Sequence, residues 1–316
     1  MNRFALALAL SVALTACDAA GLGVSNPNFL IIGHRGSPNL ACENTMASFS
    51  VAAAVGANAI ETDITVTSDG EFVIWHDRDP DDTIAVARQN GAEDLLCVPK
   101  VPATGSSWRR PVRRLSLVEL RAHYGYGPLD GPRDSSAWIP RLSDLLDWLA
   151  ATDGVTAIYL DLKFTGAELA DAIRVLHMVT ESGEYAVPEP RLGHVTFYLL
   201  SVQADVVRGL RDEISLTGTS TARAVWDYEA EGALAGTRSL GLRDVSIGLT
   251  PARSWSGYKH EIADLVTARE AGEVDSVTVW TFDREMQLAE LLYYSVDGVM
   301  TNEPATLHRL WLSSLE

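Results

Sequence analysis

The sequence predicts an α/β protein built as a TIM-type (β/α)8 barrel, with one long insertion after its third strand. Three observations carry that reading. Short apolar runs alternate with helical patterns along most of the chain, as βα units around a parallel sheet do. Polar residues gather where those runs end, and the C-terminal ends of barrel strands are where such a fold builds its site. The chain has 316 residues and 47% hydrophobic content, enough to fill one large barrel, with two medium domains as the other arrangement the length allows.

Taken in order, Phe29 to Ile32 forms the first strand and runs into Gly33-His34-Arg35-Gly36. Asn44 is placed to cap a helix over about 45–55, which Gly56 ends. Ala59 to Thr67 is the second strand, Asp69-Gly70 a turn, and Glu71 to His76 the third strand. From Asp77 to Pro140 the pattern turns irregular and rich in proline, with one helix at about 116–123 capped by Ser116. A stretch of that length points to a functional loop or a lid. Further strands are expected at 155–163, 194–201, 222–227, 245–250, 276–282 and 298–301, with helices at 143–151, 167–181, 203–213, 257–271 and 284–295. This is one strand too many for the barrel, and either 222–227 or 245–250 is expected to lie outside it.

Met1 to Ala16 places one Arg ahead of an apolar run too short to span a bilayer, the pattern of a secretory leader. Leu14-Thr15-Ala16-Cys17 resembles a bacterial lipobox, in which cleavage leaves Cys17 acylated. The alternative is ordinary cleavage nearby with Cys17 incidental. On the lipobox reading, residues 17–28 are a lipidated tether and 29–316 the folded domain, held on the extracytoplasmic (periplasmic) side of a bacterial membrane by its acyl chains. Lys plus Arg is 25 against 42 Asp plus Glu, a formal charge of −17, which argues against a nucleic acid partner. An anionic substrate then needs local positive charge or a bound cation. Three cysteines are too few for a disulfide-built scaffold. Cys42 and Cys97 can pair outside the cytoplasm or stay free thiols.

Glu61 and Asp63 are two apart on a strand and so share a face. Inward carboxylates that close are costly unless a cation sits between them. Asp161 can give a third oxygen, a donor set that suits Ca²⁺ or Mg²⁺. His34 and His76 flank that cluster, and imidazoles can take and give protons near neutral pH. Arg35 and Lys163 can hold phosphate oxygens. A cation, two histidines and two basic side chains together describe a site that cleaves phosphodiesters.

Gly33-His34-Arg35-Gly36, Glu43-Asn44-Thr45, Ser48-Phe49, the run Gly56 to Asp63, Thr67-Ser68-Asp69-Gly70 and His76-Asp77 resemble, in order and spacing, the glycerophosphodiester phosphodiesterase family. Weaker matches continue in order through Leu115 to Leu120, Ile139 to Leu142, Leu160 to Lys163, Val279-Trp280-Thr281 and Val296 to Asn302. The resemblance implies a TIM barrel that hydrolyses a small-molecule glycerophosphodiester to glycerol 3-phosphate and an alcohol with one divalent cation. It implies His34 and His76 as the acid/base pair, Glu61, Asp63 and Asp161 as metal ligands, Arg35 and Lys163 as phosphate binders, Glu43 as a supporting group and Trp280 as an apolar wall. Three departures stand out: the third ligand, usually Glu, is Asp161, the usual Ser-Phe-Asp reads Ser201-Val202-Gln203, and His76-Asp77 is followed by Arg78-Asp79-Pro80-Asp81-Asp82 rather than the usual continuation. Sphingomyelinase D-like and lysophospholipase D-like barrels also use an Asp-Leu-Lys segment and form the second reading. A catalytically inactive binding lipoprotein is the third, though a binding module needs no second placed histidine. The other histidines (His123, His177, His194, His260 and His308) have no catalytic context. Asp77 to Asp82 reads as a solvated acidic loop, and Arg109 to Arg114 as a cluster paired with the protein's own acid.

Overall fold

The structure is a computed structural model that describes residue 26 and residues 28–180, 192–229, 231–249 and 254–315. The expected leader, the Cys17 lipidation site and nearly all of the tether lie outside the described residues. In chain order the strands are β1 (Leu30–Gly33), β2 (Ala59–Val66), β3 (Phe72–Ile74), β4 (Val98–Lys100), β5 (Gly125–Gly127), β6 (Ala157–Leu162), β7 (Thr196–Ser201), β8 (Ala222–Tyr228), β9 (Asp244–Gly248), β10 (Ser276–Trp280) and β11 (Gly298–Thr301). Strands β2, β6, β7, β8, β9, β10 and β11 follow one another in parallel, and β1 pairs with both β11 and β2 to close an eight-stranded barrel.

The surplus strand is not where the sequence placed it. Residues 222–227 and 245–250 both contribute barrel strands, β8 and β9. The strand outside the ring is β3, which runs antiparallel to β2 with Ile64 opposite Ile74 and Val66 opposite Phe72. The long insertion therefore follows the second barrel strand and includes β3. The cause is the length of β2: it has 8 residues where β1 has 4, so it overshoots the rim before Asp69-Gly70 turns the chain back. An apolar run reads the same whether its strand runs up or down.

The barrel strands are buried on both faces, which is why they read as nearly continuous apolar runs. Ile158, Leu160 and Leu162 of β6 face outward into the layer under the helices. There, Leu142, Leu145, Leu146 and Leu149 line one side of helix Leu142–Ala150 at the i, i+3, i+4, i+7 spacing. Ala172, Val175, Leu176 and Val179 repeat that spacing on helix Leu169–Val179. Inside the ring, Ile32, Ala59, Ala157, Tyr159, Leu200, Val225 and Met300 pack into a separate apolar plug. The polar side chains of the site stand at the mouth above the plug, while Asp244 and Ser276 hydrogen-bond to each other at the opposite ends of β9 and β10.

Above β2 and β3 the insertion has a small core of its own. Val73, Trp75, Cys97, Val112, Leu115, Leu120, Tyr124, Tyr126, Ala137 and Ile139 cluster there with Cys42, which reaches over from the loop after β1. Strands β4 and β5 form an antiparallel pair. Helix Leu117–His123 starts at Ser116, whose side chain and that of Glu119 cap each other's backbone N–H, as the sequence predicted. Helix Thr83–Gln89 was not expected from the irregular pattern. Cys42 and Cys97 are joined in a disulfide, Cα–Cα 5.1 Å, which settles the open pairing. Arg109 pairs with Asp81, and Arg113 with Glu168 and Asp171, so this basic cluster does answer the protein's own acid.

Candidate active site

The register between β2 and β6 sets Asp63 directly opposite Asp161, with Glu61 two residues down the same face of β2. One carboxylate oxygen from each of Glu61, Asp63 and Asp161 lies within 4.8 Å of the other two. Lys163 Nζ stands 3.0 Å from Asp63 Oδ1 and is hydrogen-bonded to Asp161 Oδ2. Burial alone would lower the Lys163 ammonium, but Asp161 and Asp63 hold it above its ordinary range. Burial, reinforced by Asp63, drives the Glu61 carboxyl well above the usual carboxylate range. Burial likewise raises Asp161, against the pull of Lys163. Burial also acts to raise Asp63, but Lys163, His76 and Arg35 carry it well below that range. Lys163 and Arg35 both serve Asp63, and together they leave Glu61 and Asp161 raised; an oxygen trio in that condition fits a hard divalent cation.

The two histidines follow β1 and β3, the strands that pair with β2 on the edge away from β6. His34 follows β1, and its Nδ1 is 2.7 Å from Asn302 Oδ1. Asn302 is itself fixed, donating from its backbone N and from Nδ2 to Asp283. With the amide nitrogen so engaged, Oδ1 is an acceptor, His34 Nδ1 carries the proton, and Nε2 is left as the lone-pair nitrogen, 3.9 Å from Glu61 Oε2. Burial, with the charge of Arg35, pushes the His34 imidazole down to about 4. His76 comes back to the rim because β3 is antiparallel: the backbone N–H of Trp75 donates to the Asp63 carbonyl at 3.0 Å. His76 Nδ1 lies 2.6 Å from Asp77 Oδ1. Asp77 is therefore no member of a solvated loop; it is buried, and Arg88 Nε is 3.1 Å from the same oxygen.

Arg35 is also more enclosed than a plain phosphate binder. It is 5% exposed, with Nη1 bonded to Glu43 at 2.8 Å and to Glu93 at 3.2 Å, and Nε 3.1 Å from Asp63 Oδ2. Its backbone N–H donates to Glu61 Oε2 at 2.9 Å. Arg35 takes φ 52°, a left-handed conformation held by its surroundings. Gly36 beside it has φ 90°, and a Cβ there would lie 2.4 Å from Ser48 Oγ, which itself bonds the Arg35 carbonyl. Glu43 receives a second guanidinium, that of Arg88, which also bonds Glu93. Trp280 ends β10 and lies against Gly248, where a Cβ would meet its ring at 2.5 Å.

Among the described residues, the expected histidines, carboxylates and basic side chains gather at one mouth, while Cys17 lies outside those residues, and several partners went unseen. Asn44 does not cap the first helix; Thr45 does, accepting from Ser48 N. Asn44 instead donates to Asp63 Oδ2 at 2.7 Å and accepts from Thr62. Its place in Glu-Asn-Thr and that of Asn302 in Met-Thr-Asn were the available signals. Arg88 and Glu93 had none, since they stand in the irregular insertion. His177 pairs with Glu213 and His123 stacks on Trp108, both away from the site.

Known proteins are similar to this chain. Residues 34–306 match the model of the Glycerophosphoryl diester phosphodiesterase family. A human glycerophosphoinositol inositolphosphodiesterase is 34% identical over 142 residues, 42% of this chain and 24% of that protein. A glycerophosphodiester phosphodiesterase of Caldanaerobacter subterraneus is 44% identical over 54 residues, 17% of this chain and 22% of that one. The match therefore spans about a quarter of these relatives' length. Among solved structures, a glycerophosphodiester phosphodiesterase from Parabacteroides distasonis superposes with TM-score 0.64 at 17% identity, covering 92% of this chain and 99% of that one. An Oleispira antarctica phosphodiesterase in complex with its product sn-glycerol-3-phosphate gives TM-score 0.61 at 17% identity over 88% and 95%. The barrel, the ordered motifs along it and the match over residues 34–306 place this chain in the glycerophosphoryl diester phosphodiesterase family.

Proposed function

We propose that this protein hydrolyses glycerophosphodiesters to glycerol 3-phosphate and an alcohol, with a divalent cation held by Glu61, Asp63 and Asp161. One observation supports this most directly: two imidazoles, each held at Nδ1, adjoin a carboxylate trio in which Lys163 and Arg35 leave Glu61 and Asp161 raised. Bound there, Ca²⁺ or Mg²⁺ would offset phosphate charge and make a coordinated hydroxyl easier to deprotonate.

The partners of the histidines divide their roles. His34 is held by a neutral amide and kept unprotonated by burial, so its Nε2 is the base that takes the proton of the substrate's own glycerol hydroxyl as that oxygen attacks phosphorus. Burial and Lys163 hold the His76 imidazole well below its ordinary range as well, so its carboxylate neighbour Asp77 serves to fix the ring and to stabilise the imidazolium that must form before it gives a proton to the departing alcohol oxygen. The resulting cyclic phosphate is opened by water, with His76 now accepting a proton and His34 returning one to the glycerol oxygen. Lys163 and the Nη2 of Arg35, which takes no part in the carboxylate contacts above, face the phosphate oxygens. Glu43 holds Arg35 and Arg88 in place, and Trp280 walls the glycerol side.

The leader-like Met1 to Ala16, the Leu14 to Cys17 lipobox and the Cys42–Cys97 disulfide support an extracytoplasmic, membrane-anchored setting. Among the described residues no helix is long and apolar enough to cross a membrane. The test is release of glycerol 3-phosphate from glycerophosphocholine by the chain that starts after Cys17. It should stop in EDTA, return with Ca²⁺ or Mg²⁺, and be lost in His34→Ala. No release in either metal sinks the reading.

A further inference from the structure

The barrel mouth has a second polar wall that the steps above leave idle. Asp227, on β8, is 8% exposed. Its Oδ1 accepts from Ser246 Oγ at 2.9 Å, a contact set by register because the two residues are opposite each other on β8 and β9. The Trp280 indole, pressed on Gly248, lies beside it, with its Nε1 buried and outside hydrogen-bonding geometry. Asp227 stands two residues beyond Val225 of the inner plug on the same strand, so it faces into the barrel above the plug, at the same end as the carboxylate trio. A carboxyl has about four acceptor positions, more than the Ser246 hydroxyl fills. Burying such a group is unfavourable unless something completes its bonding.

We propose that Asp227, anchored by Ser246 beneath Trp280, receives the terminal hydroxyl of the substrate's glycerol unit. The inference rests on the glycerophosphodiester reading and names the group that selects the glycerol end. Depth decides which end. The leaving alcohol differs between substrates and must depart to solvent, whereas the glycerol unit is the constant part and suits a buried subsite. Burial, reinforced by Asp161, pushes the Asp227 carboxyl up to about 8, so near neutral pH it can donate as well as accept, which suits a hydroxyl better than a cationic headgroup. An acyl group on that hydroxyl would remove its proton and demand room beneath Trp280. The same wall would therefore disfavour lysophospholipids.

The test pairs glycerophosphocholine with its analogue lacking only the terminal hydroxyl, the propane-1,2-diol diester, which keeps the attacking hydroxyl. Wild type should favour the glycerol diester in kcat/KM by about 10–100-fold, because the analogue leaves a buried polar group unpaired. In Asp227→Ala that ratio should fall to near one, and Asp227→Asn, which keeps a donor and an acceptor, should restore most of it. An unchanged ratio in Asp227→Ala overturns the inference. Calorimetry on the wild-type protein gives a second readout that needs neither folding of a variant nor turnover. Glycerol 3-phosphate should bind more tightly than propane-1,2-diol 1-phosphate, and equal binding overturns the inference. Preferential binding without turnover of any diester would support the subsite and sink the proposed reaction instead.

Discussion

The barrel and the excursion that rises from β2 meet at one site but hold it by different means. In the barrel, a closed ring of parallel strands and a dry plug of Ile32, Ala59, Tyr159, Leu200, Val225 and Met300 fix the backbone, and register alone puts Asp63 beside Asp161. In the excursion, a small apolar core is tied to the barrel by the Cys42–Cys97 disulfide and by buried charge, with Arg35 and Arg88 sharing Glu43 and Glu93. The first gives position, and the second gives orientation: Asp77, held by Arg88, is what turns the His76 ring. Damage to the two should therefore look different.

The largest effect is expected in the barrel. Glu61→Gln should lower turnover by about a thousandfold through loss of a metal ligand. The same variant should melt higher than wild type in EDTA by about 2–4 °C, roughly 1 kcal/mol at this size. The reason is that burial and Asp63 already hold the Glu61 carboxyl well above its ordinary range, so the neutral amide removes the cost of burying an acid that would ionise when unfolded. Activity with added metal and a melting curve without it are the two measurements. A variant that loses both activity and metal-free stability would break the claim that the barrel fixes position independently of charge.

The excursion should answer in the opposite sense. Arg88 is buried and bonds Glu43, Asp77 and Glu93, so Arg88→Met strands three carboxylates at once. That should cost about 3–5 kcal/mol in urea unfolding. The loss should be local, with protease cuts falling within 77–140 while the barrel stays resistant. Cleavage spread evenly over the chain would mean that the two regions unfold as one.

This contrast also explains what the sequence could show. Glu61, Asp63, Asp161 and Lys163 were legible because strand alternation fixes which side chains share a face, whatever the rest of the fold does. The direction of β3 was not, since apolar alternation carries no sign, and it was this that put the insertion one strand too late. Thr45 took the cap expected of Asn44 because Asp63, 19 residues on, offered Asn44 a buried partner. Arg88 and Asp227 matter through contacts 45 and 19 residues away in sequence, to Glu43 and Ser246, and no local pattern marks such contacts. Asp77 read as one acid in a solvated run for the same reason.

The disulfide should matter less than Arg88. Cys42 and Cys97 are 55 residues apart, and the double variant Cys42→Ser, Cys97→Ser should lose about 2–4 kcal/mol, read as a lower urea midpoint. Reduction of the wild-type protein should give the same midpoint. If reduction instead abolishes turnover at denaturant-free stability close to wild type, the bridge would be holding Glu43 and Asn44, next to Cys42, in place more than it holds the excursion.

The smallest effect separates two carboxyls of the excursion by sign. Burial acts to raise Glu93, but Arg35 and Arg88 pull it down to about 2. Its contribution is present above the unfolded value near 4.3 and is lost as pH falls towards 2. Burial pushes Asp77 up to about 6 despite Arg88, so its contribution is fully present below the unfolded value near 3.9 and is lost as pH rises through 6. Between pH 7 and 4 Asp77 should therefore make the protein more stable, and below pH 4 Glu93 should make it less so. The Glu93 side chain is 36% exposed, so screening limits its share to about 1 kcal/mol or less. Unfolding free energies from pH 7 to 3 should lose the acid fall in Glu93→Gln and the rise in Asp77→Asn. A fall that persists in Glu93→Gln would shift the acid sensitivity from the excursion's ion pairs to the barrel's own Asp63, whose carboxyl also lies below its ordinary range.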